Sequence, residues 1–292
     1  MKLGFIGLGQ MGRHMALNLS KYGDKLIVCD KSSAAFPMFE AKGIEVTTNQ
    51  VDLADCPIIF LCLPNTEVVT DVINHLSPLL QADQIIVDMS TIDYTASVEL
   101  AKSLKARNVE FIDAPVTGME ARAIDATLTI MCGGNKDTYE TVLPYFKFMG
   151  NNVLHMGAHG AGQLTKTINN ILFDINIAGL AEVLPMAVKL GLDPESIGAV
   201  VNSGSGRSYA SEFFIPRILA ANFKDGYPLK HAYKDLVAGA TISANHSIPL
   251  PVTHAATSTY QMALLKGLGD KDKGAMIEIF EELLDTKFRK KS

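Results

Sequence analysis

A lysine and two asparagines occur together near the middle of the chain, at Lys166, Asn169 and Asn170. They follow a pair of glycines that allows a tight backbone turn, and they begin a predicted helix over residues 163–190. Because Lys166 and Asn170 are four residues apart, they share one face of that helix. A largely apolar helix with such groups in its first turns must direct them at polar surroundings, either solvent or a bound ligand.

A second chemical pattern opens the chain. Gly-x-Gly-x-x-Gly directly follows the apolar run 2–6 and precedes a predicted helix over residues 13–22. In this strand, turn and helix context the first glycine would form the turn, the second would admit a pyrophosphate, and the third would let helix and strand pack closely. The diphosphate would lie on the helix N-terminus. We assign the whole turn to a dinucleotide cofactor: Gly7, Leu8, Gly9, Gln10, Met11 and Gly12.

The second predicted strand, residues 25–29, ends at Asp30, which lies 18 residues after Gly12. A carboxylate near this spacing accepts hydrogen bonds from a ribose 2′-hydroxyl and repels a 2′-phosphate. NAD is therefore favoured over NADP. The neighbouring Lys31 can offset part of the repulsion, which keeps NADP open as an alternative.

Further buried strands are predicted at residues 57–63, 84–88, 110–113, 128–132 and 152–155, so residues 1–162 read as a Rossmann-type, doubly wound α/β sheet. Ligands bind beyond the carboxyl ends of such strands. This makes Leu63, Pro64 and Thr91 candidates for the cofactor edge. The run Asp-Ala-Pro-Val-Thr-Gly at 113–118 predicts a rigid loop that presents the Thr117 hydroxyl and backbone N–H groups, which suit a carboxylate.

The rest of the chain, residues 163–292, reads as an all-helical domain. Shorter helices are predicted near residues 194–201, 209–220, 229–245, 252–266 and 274–284. Pro185 predicts a kink or an early stop in the long helix. Lys234 and Asp235 lie within a predicted helix, and without further context they are interpreted as a surface charge pair. Residues 287–292 are predicted to form a frayed basic tail.

Composition narrows the class of partner. The chain has 292 residues and a formal net charge of −5, which disfavours nucleic acid and anionic membranes as partners. Its longest apolar stretches are broken by polar residues short of a membrane span, and no secretory signal pattern opens it.

Four cysteines without a Cys-x-x-Cys pair favour reduced thiols and the cytoplasm. Seven histidines lack metal-ligand spacing, so no metal is expected.

Four blocks in chain order resemble the β-hydroxyacid dehydrogenase family, of the 3-hydroxyisobutyrate dehydrogenase kind. They lie at residues 5–19, at 113–118 with 127–131 and 133–134, at 160–170, and at 234–236. The resemblance implies a Rossmann domain joined by one long helix to an all-helical domain, assembled as homodimers or homotetramers. It implies hydride exchange between NAD(H) and a short 3-hydroxyacid or its semialdehyde, a small anionic substrate.

The resemblance also implies roles for individual residues. Lys166 is similar to the family's catalytic lysine, which gives a proton to the carbonyl oxygen and takes it back in the reverse reaction. Asn170 is similar to the residue that orients the substrate, and Thr91 to a contact on the nicotinamide side. Lys234 is similar to the cation that the helical domain turns toward the active site, where it is expected to contact substrate and cofactor, and Asp235 in the same block is expected to contact the cofactor.

The chain departs from the family pattern where the substrate carboxylate is expected to bind, at Thr117 and Gly118. The family commonly continues with further glycines, whereas this chain has Met119 and the run Glu-Ala-Arg-Ala-Ile-Asp-Ala at residues 120–126. Met119 adds bulk beside the substrate. Arg122 adds a cation that would suit a second anionic group, or that pairs on the surface with the acidic residue at 120 or 125.

These departures leave alternatives open. One is a reductase or dehydrogenase of the same mechanism that acts on a dianionic or sulfonated hydroxy-compound. Another is a decarboxylating enzyme like 6-phosphogluconate dehydrogenase, which the Lys-Thr-Ile-Asn-Asn run at residues 166–170 disfavours because that family has a histidine at the fourth position. The third is a non-catalytic cofactor-binding module, which the presence of both Lys166 and Asn170 disfavours.

Overall fold

The computed structural model describes residues 1–224 and 226–290, and the chain divides into two compact units. Unit 1 is Met1–Lys166 and unit 2 is Thr167–Ser292. The division falls inside one long helix, four residues beyond the domain boundary predicted after residue 162.

Unit 1 is built on a mixed sheet of nine strands. They are β1 (Lys2–Ile6), β2 (Lys25–Cys29), β3 (Glu45–Thr47), β4 (Ile58–Leu61), β5 (Ile85–Asp88), β6 (Glu110–Asp113), β7 (Val116–Thr117), β8 (Leu128–Gly134) and β9 (Gly150–Gly157). The central strands β1, β4, β5 and β6 are buried along nearly their whole length because helices cover both faces of the sheet. The Rossmann-type fold predicted from the sequence is confirmed.

The strands follow the order β3-β2-β1-β4-β5-β6-β8-β7, with β9 paired to β8. Strands β1 to β6 are parallel to one another, while β8 runs antiparallel to β6 and β7. The chain reverses its direction of travel across the sheet between β1 and β4, which is where an open α/β sheet forms a ligand crevice. The carboxyl ends of β1, β2, β4, β5 and β6 all lie at that edge because these strands are parallel.

The helices of unit 1 are α1 (Gly12–Leu19), α2 (Phe36–Glu40), α3 (Thr66–Leu76), α4 (Tyr94–Lys105), α5 (Met119–Ile124) and α6 (Lys136–Phe146). They bury two apolar clusters, one on each face of the sheet. Phe5 and Phe60 stack within one cluster, whereas Ile59 and Leu61 belong to the other. Alternate residues of the central strands thus supply opposite cores.

Unit 2 is helical in its described residues and has its own core. The long helix α7 (Ala161–Lys189) is followed by α8 (Pro194–Ser203), α9 (Tyr209–Leu219), α10 (Leu229–His246), α11 (Pro251–Leu265) and α12 (Ile277–Leu283). Residues Ile177, Ala181 and Leu184 of α7 are buried in this core. By length and composition α7 could cross a membrane, but these buried residues make it a core helix.

Two details of unit 2 differ from expectation. Of the two outcomes predicted for Pro185, a kink or an early stop, the early stop is wrong: helix α7 continues to Lys189, because Pro185 is buried between core positions and the packing outweighs the lost hydrogen bond. The tail predicted to fray, residues 287–292, is instead packed and hydrogen-bonded at residues 287–290, while residues 291 and 292 lie outside the described part of the chain. Phe288 is fully buried, and Arg289 forms two hydrogen bonds to the buried carboxylate of Glu281, at 2.5 and 3.0 Å.

Candidate active site

The glycine turn has the geometry that a dinucleotide requires. Gly7 has a φ of +102°, and a Cβ built on it would lie 2.2 Å from the backbone oxygen of Cys62, which follows β4. A Cβ at Gly12 would lie 2.0 Å from the oxygen of Gly7, so the start of α1 packs directly on the turn. A Cβ at Gly9 would meet nothing within 4 Å. The turn is closed toward the sheet and open at the one position where a pyrophosphate would approach.

Asp30 lies beside this turn at the end of β2. Its Oδ2 accepts a hydrogen bond of 2.6 Å from the backbone N–H of Leu8, and its Oδ1 accepts one of 2.8 Å from the N–H of Ser32. The carboxylate is thereby fixed next to the turn, in the position from which it would receive the ribose hydroxyls of NAD. Lys31 is exposed, and Gln10 and Met11 continue the turn into α1.

The ends of β4 and β5 are tied together at the same edge of the sheet. The backbone N–H of Leu63 donates to the Ser90 hydroxyl at 2.8 Å. Ser90 directly precedes Thr91, which is half-buried, while Pro64 is exposed. The structure therefore brings Leu63 and Thr91 to neighbouring strand ends, as their positions in the sequence predict.

A buried carboxylate anchors the start of α7 to the sheet. Asp113, at the end of β6, accepts hydrogen bonds from the backbone N–H of Gly160 at 2.7 Å and of Gln163 at 3.0 Å. A carboxylate is favoured there because the first N–H groups of a helix lack partners and carry partial positive charge. Burial raises the pKa of Asp113, and the two N–H donors oppose that rise. A Cβ at Gly162 would lie 2.3 Å from the oxygen of Met131, so α7 begins in direct contact with β8.

Gln163 makes a second connection from α7. Its side-chain oxygen accepts from the N–H of Ile92 at 3.1 Å, and its amide donates to the oxygen of Ser90 at 2.8 Å. These two bonds bracket Thr91. Lys166 lies three residues further along α7, roughly 4.5 Å along the helix axis. The start of α7 thus holds Lys166 close to the carboxyl ends of β5 and β6.

In unit 2, Asn170 donates through Nδ2 to Oδ2 of Asp235 at 2.9 Å. Asp235 is buried and Lys234 is exposed. The interpretation of residues 234 and 235 as a surface charge pair is therefore wrong for Asp235, whose carboxylate instead holds the Asn170 amide. A glutamine or asparagine held by a carboxylate has its donor and acceptor ends fixed, which suits a substrate-orienting residue.

The predicted loop around Thr117 and Gly118 contains more regular structure than expected. Thr117 ends β7, and Gly118, with a φ of +141°, is followed at once by the six-residue helix α5. Met119, the first residue of this helix, and Ala126, two residues beyond its end, have φ values of +62° and +56°, a region that favours glycine. Non-glycine residues thus adopt at both ends a conformation that the family's glycines would reach without strain.

Arg122 does not pair with Glu120 or Asp125 within the described residues. Glu120 instead binds α1 and the glycine turn: it accepts from Gln10 Nε2 at 2.8 Å and from Arg13 Nη2 at 2.7 Å. The exposed Arg122 lies along Gly118, where a Cβ would come within 2.7 Å of its Cδ. Its cation is thereby available next to the predicted carboxylate segment.

Sequence reasoning missed three residues that position the site: Asp113, Gln163 and Glu120. The signal for Asp113 was present, since an acidic residue ends a buried strand just before the Pro-Val-Thr-Gly run. Gln163 and Glu120 carry no comparable signal, because their partners lie 71 and more than 100 residues away in the chain. Within the described residues, no group of three or more His, Cys, Asp or Glu side chains could hold a metal.

Comparison with known proteins agrees with this geometry. Residues 2–157 match the family described as the NAD-binding domain of 6-phosphogluconate dehydrogenase, and residues 160–280 match the family described as the NAD-binding domain of NADP-dependent 3-hydroxyisobutyrate dehydrogenase. A 2-(hydroxymethyl)glutarate dehydrogenase from Eubacterium barkeri is 36% identical over 97% of this chain and 95% of its own. The human mitochondrial 3-hydroxyisobutyrate dehydrogenase is 32% identical over 96% of this chain and 87% of its own.

Among solved structures, a 3-hydroxyisobutyrate dehydrogenase from Mycobacterium tuberculosis, described with L-serine, matches with a TM-score of 0.87 and 28% identity, over 95% of this chain and 98% of that one. Fold, cofactor turn and relatives together define an NAD-dependent dehydrogenase that acts on CH–OH groups. The chain belongs to the β-hydroxyacid dehydrogenase family, in its 3-hydroxyisobutyrate dehydrogenase-like branch.

Proposed function

We propose that this chain interconverts a short 3-hydroxyacid of the 3-hydroxyisobutyrate kind and its semialdehyde, with Lys166 as the general acid and base. The observation that carries the proposal is the anchored start of α7. Asp113 and Gln163 fix it to the ends of β5 and β6, at the same sheet edge as the glycine turn. Lys166 is thereby held at the edge where the dinucleotide binds.

Gly7 to Gly12 and Asp30 would hold NAD(H), which accepts the hydride from the carbinol carbon or returns it. Lys166 would take the hydroxyl proton as the hydride leaves and give it back to the carbonyl oxygen in reduction. Asn170, fixed by Asp235, would orient the reacting hydroxyl group. Thr117 and Gly118 would bind the substrate carboxylate, and Thr91 and Lys234 would complete the surroundings of the reacting groups.

Replacement of Lys166 tests the proposal directly. Lys166→Ala should abolish NADH formation from 3-hydroxyisobutyrate while NADH still binds, measured by its fluorescence. Lys189→Ala, an exposed lysine in the last turn of the same helix, is the matched control and should keep wild-type rates. Normal turnover by Lys166→Ala would disprove the assignment.

A second candidate substrate class is a hydroxyacid with two anionic groups. It is favoured by Arg122, which lies against Gly118 and forms no ion pair with Glu120 or Asp125 within residues 1–224 and 226–290. The Eubacterium barkeri relative is named for a dicarboxylate, 2-(hydroxymethyl)glutarate. On this proposal Arg122 binds the second carboxylate, and Met119 shapes the space around it.

The two substrate classes differ in their response at Arg122. Arg122→Ala should raise KM for 2-(hydroxymethyl)glutarate by about tenfold or more, the scale of one lost charge-assisted hydrogen bond, and leave KM for 3-hydroxyisobutyrate within about twofold. Arg122→Lys, which keeps the charge, should recover part of the loss. An unchanged KM for every dianionic substrate would exclude this role.

We further propose that the chain works in the cytoplasm as a homodimer or homotetramer. Support comes from large apolar side chains that are about half exposed along α7, among them Ile168, Leu172, Val183 and Met186. Such a stripe is a feature of association surfaces rather than of monomers. Light scattering coupled to size-exclusion chromatography measures the mass, and a monomer at micromolar concentration would contradict the proposal.

A further inference from the structure

Helix α5 is held by side chains of the segment that binds the cofactor. Both carboxylate oxygens of Glu120 are engaged: Oε2 accepts from Gln10 Nε2 at 2.8 Å, and Oε1 accepts from Arg13 Nη2 at 2.7 Å. His14 Nε2 lies 3.2 Å from the same Oε1. Hydrogen bonds from Gln10 and Arg13 hold the pKa of Glu120 at about 2, so it is ionised at neutral pH. The three partners all lie within the glycine turn or the first turn of α1.

The other end of α5 is held by the same helix. The Asn18 amide donates to the backbone oxygens of Ala123 at 2.8 Å and Ile124 at 3.2 Å. These oxygens belong to the last turn of α5, which has no following turn to satisfy them. Asn18 and Ala123 are both buried. Helix α1 therefore binds α5 at its start through Glu120 and at its end through Asn18.

Helix α5 needs this external support. It has six residues, far fewer than a helix requires to be stable alone. Residues Met119 and Ala126 at its two ends have left-handed backbone conformations that oppose its formation. The hydrogen bonds that Glu120 and Asn18 form across to α1 offset that cost and hold the helix in its position. That position in turn determines the backbone of Gly118, which directly precedes the helix.

We infer that Glu120 is a positioning residue that couples occupancy of the cofactor turn to the conformation of the substrate-carboxylate segment, residues 117–118. Gln10 and Arg13 are fixed when a dinucleotide fills the turn, and through Glu120 they fix α5 and the N–H groups that precede it. Substrate binding would then be favoured after the cofactor has bound. The inference rests on the proposed function for the assignment of residues 117–118 to the substrate carboxylate.

Hydrogen–deuterium exchange with NADH as the probe tests the coupling without any substrate. In the wild-type chain, NADH should slow exchange in residues 117–126 as well as in the glycine turn. In Glu120→Ala the protection of the glycine turn should remain, and that of residues 117–126 should be lost. Equal protection of residues 117–126 in both proteins would overturn the inference. If the wild-type chain instead fails to oxidise any hydroxyacid, the proposed function fails while this result stands.

Steady-state kinetics separates positioning from a general loss of structure. Glu120→Ala should raise KM for the hydroxyacid by about tenfold, the scale of one charge-assisted hydrogen bond, with kcat and the Kd for NADH within about twofold of wild type. Glu120→Gln, which keeps the shape, should fall between the two. A parallel fall in kcat, NADH affinity and melting temperature would show a merely structural role.

Two further variants serve as controls. Asp125→Asn removes an exposed carboxylate from the end of α5 and should leave KM unchanged. Arg13→Met removes the arginine partner of Glu120, and the double variant Arg13→Met/Glu120→Ala should have a KM no higher than Glu120→Ala alone. An additive increase in KM would show that Glu120 acts through some other group.

Discussion

Asn170 and Asp235 form a side-chain hydrogen bond of 2.9 Å between the long helix α7 and helix α10. Asp235 is largely buried, so its carboxylate has few alternatives for satisfying its charge. The bond fixes which end of the Asn170 amide is the donor toward Asp235 and leaves the amide oxygen directed elsewhere. The orientation of the proposed substrate-binding amide therefore depends on a residue 65 positions away.

Asp235→Ala should lower kcat/KM by roughly 10- to 100-fold, because a misplaced orienting group loses the aligned reactive geometry. The effect should appear in steady-state rates with saturating NAD, without loss of NADH binding in a fluorescence titration. Asp270→Ala, a mostly exposed aspartate paired with Lys230, is the control and should keep wild-type kinetics. An unchanged kcat/KM in Asp235→Ala would show that Asn170 needs no support.

Asp30→Ser should reduce the preference for NAD over NADP by about tenfold or more, since it removes the charge that repels a 2′-phosphate. The ratio of kcat/KM values for the two cofactors measures this preference. The same change removes the acceptor for the N–H of Leu8 and Ser32, so affinity for NAD itself should also fall. A ratio that stays at its wild-type value would mean that a group other than Asp30 distinguishes the 2′-hydroxyl of NAD from the 2′-phosphate of NADP.

Unit 2 contains a buried ion pair between Lys273 and Asp174, 2.5 Å apart, and the Tyr260 hydroxyl donates to the same carboxylate oxygen. Lys273→Met should lower the free energy of unfolding by about 3–5 kcal/mol, because the carboxylate is left buried without its cation. Burial already raises the pKa of Asp174, so the loss should be smaller at pH 5 than at pH 8.

The double variant Asp174→Asn/Lys273→Met provides the control for that experiment. It removes both charges but keeps an acceptor for Tyr260, so chemical denaturation should show it to be more stable than Lys273→Met alone. If the double variant were the less stable of the two, the cost would come from lost packing and not from an unpaired charge.

Burial raises the pKa of Asp88 from an ordinary 3.8 to about 6, against hydrogen bonds from Ser90 that lower it. Between these two values the folded chain binds the proton more tightly than the unfolded chain, so the contribution of Asp88 to stability declines as the pH rises through 6. Asp88→Asn cannot titrate. We therefore compare the free energy of unfolding of Asp88→Asn with that of the wild type at each pH. The value for the variant minus the value for the wild type should rise by roughly 3 kcal/mol between pH 4 and pH 7. A constant difference across that range would mean that Asp88 stays ionised.

The same substitution should have opposite effects at two positions of the substrate region. Ala126 has a φ of +56°, so Ala126→Gly should relieve strain and raise the free energy of unfolding by about 1 kcal/mol. Ala121 is an exposed residue inside α5, where Ala121→Gly should lower it by about 1 kcal/mol. Urea denaturation measures both, and a loss of stability in Ala126→Gly would contradict the strain argument.

The sequence predicts those elements whose signal is local. Strands β1, β2 and β6 begin and end where their apolar runs do, at Lys2–Ile6, Lys25–Cys29 and Glu110–Asp113. Strand β3, Glu45–Thr47, was missed because it is three residues long and no residue in it is fully buried, so it forms no apolar run. Helix α5 was missed because its stability comes from α1 and not from its own periodicity.

Residues of the candidate site, too, are predictable from the sequence only where their signal is local. Residues of the glycine turn and Asp30 are recognisable because each carries its own backbone or charge requirement within a short spacing. The partner of Glu120 was not recognisable, since proximity in sequence pointed to Arg122 whereas the fold supplies Arg13, 107 residues away. The role assigned to Lys166 remains a prediction, which the variant Lys166→Ala tests, and the roles assigned to Thr117 and Lys234 remain predictions as well.

The attachment of α5 to α1 has a consequence for changing what this enzyme accepts. A surface loop without contacts to the rest of the protein could be replaced by the loop of a relative without other changes. Here residues 119–124 share their contacts with Gln10, Arg13 and Asn18. Grafting this segment from a relative, or diversifying it in a library, should therefore succeed only when these three positions are transferred with it. The residues that set the substrate range and the helix α1 that follows the cofactor turn would then have to change together.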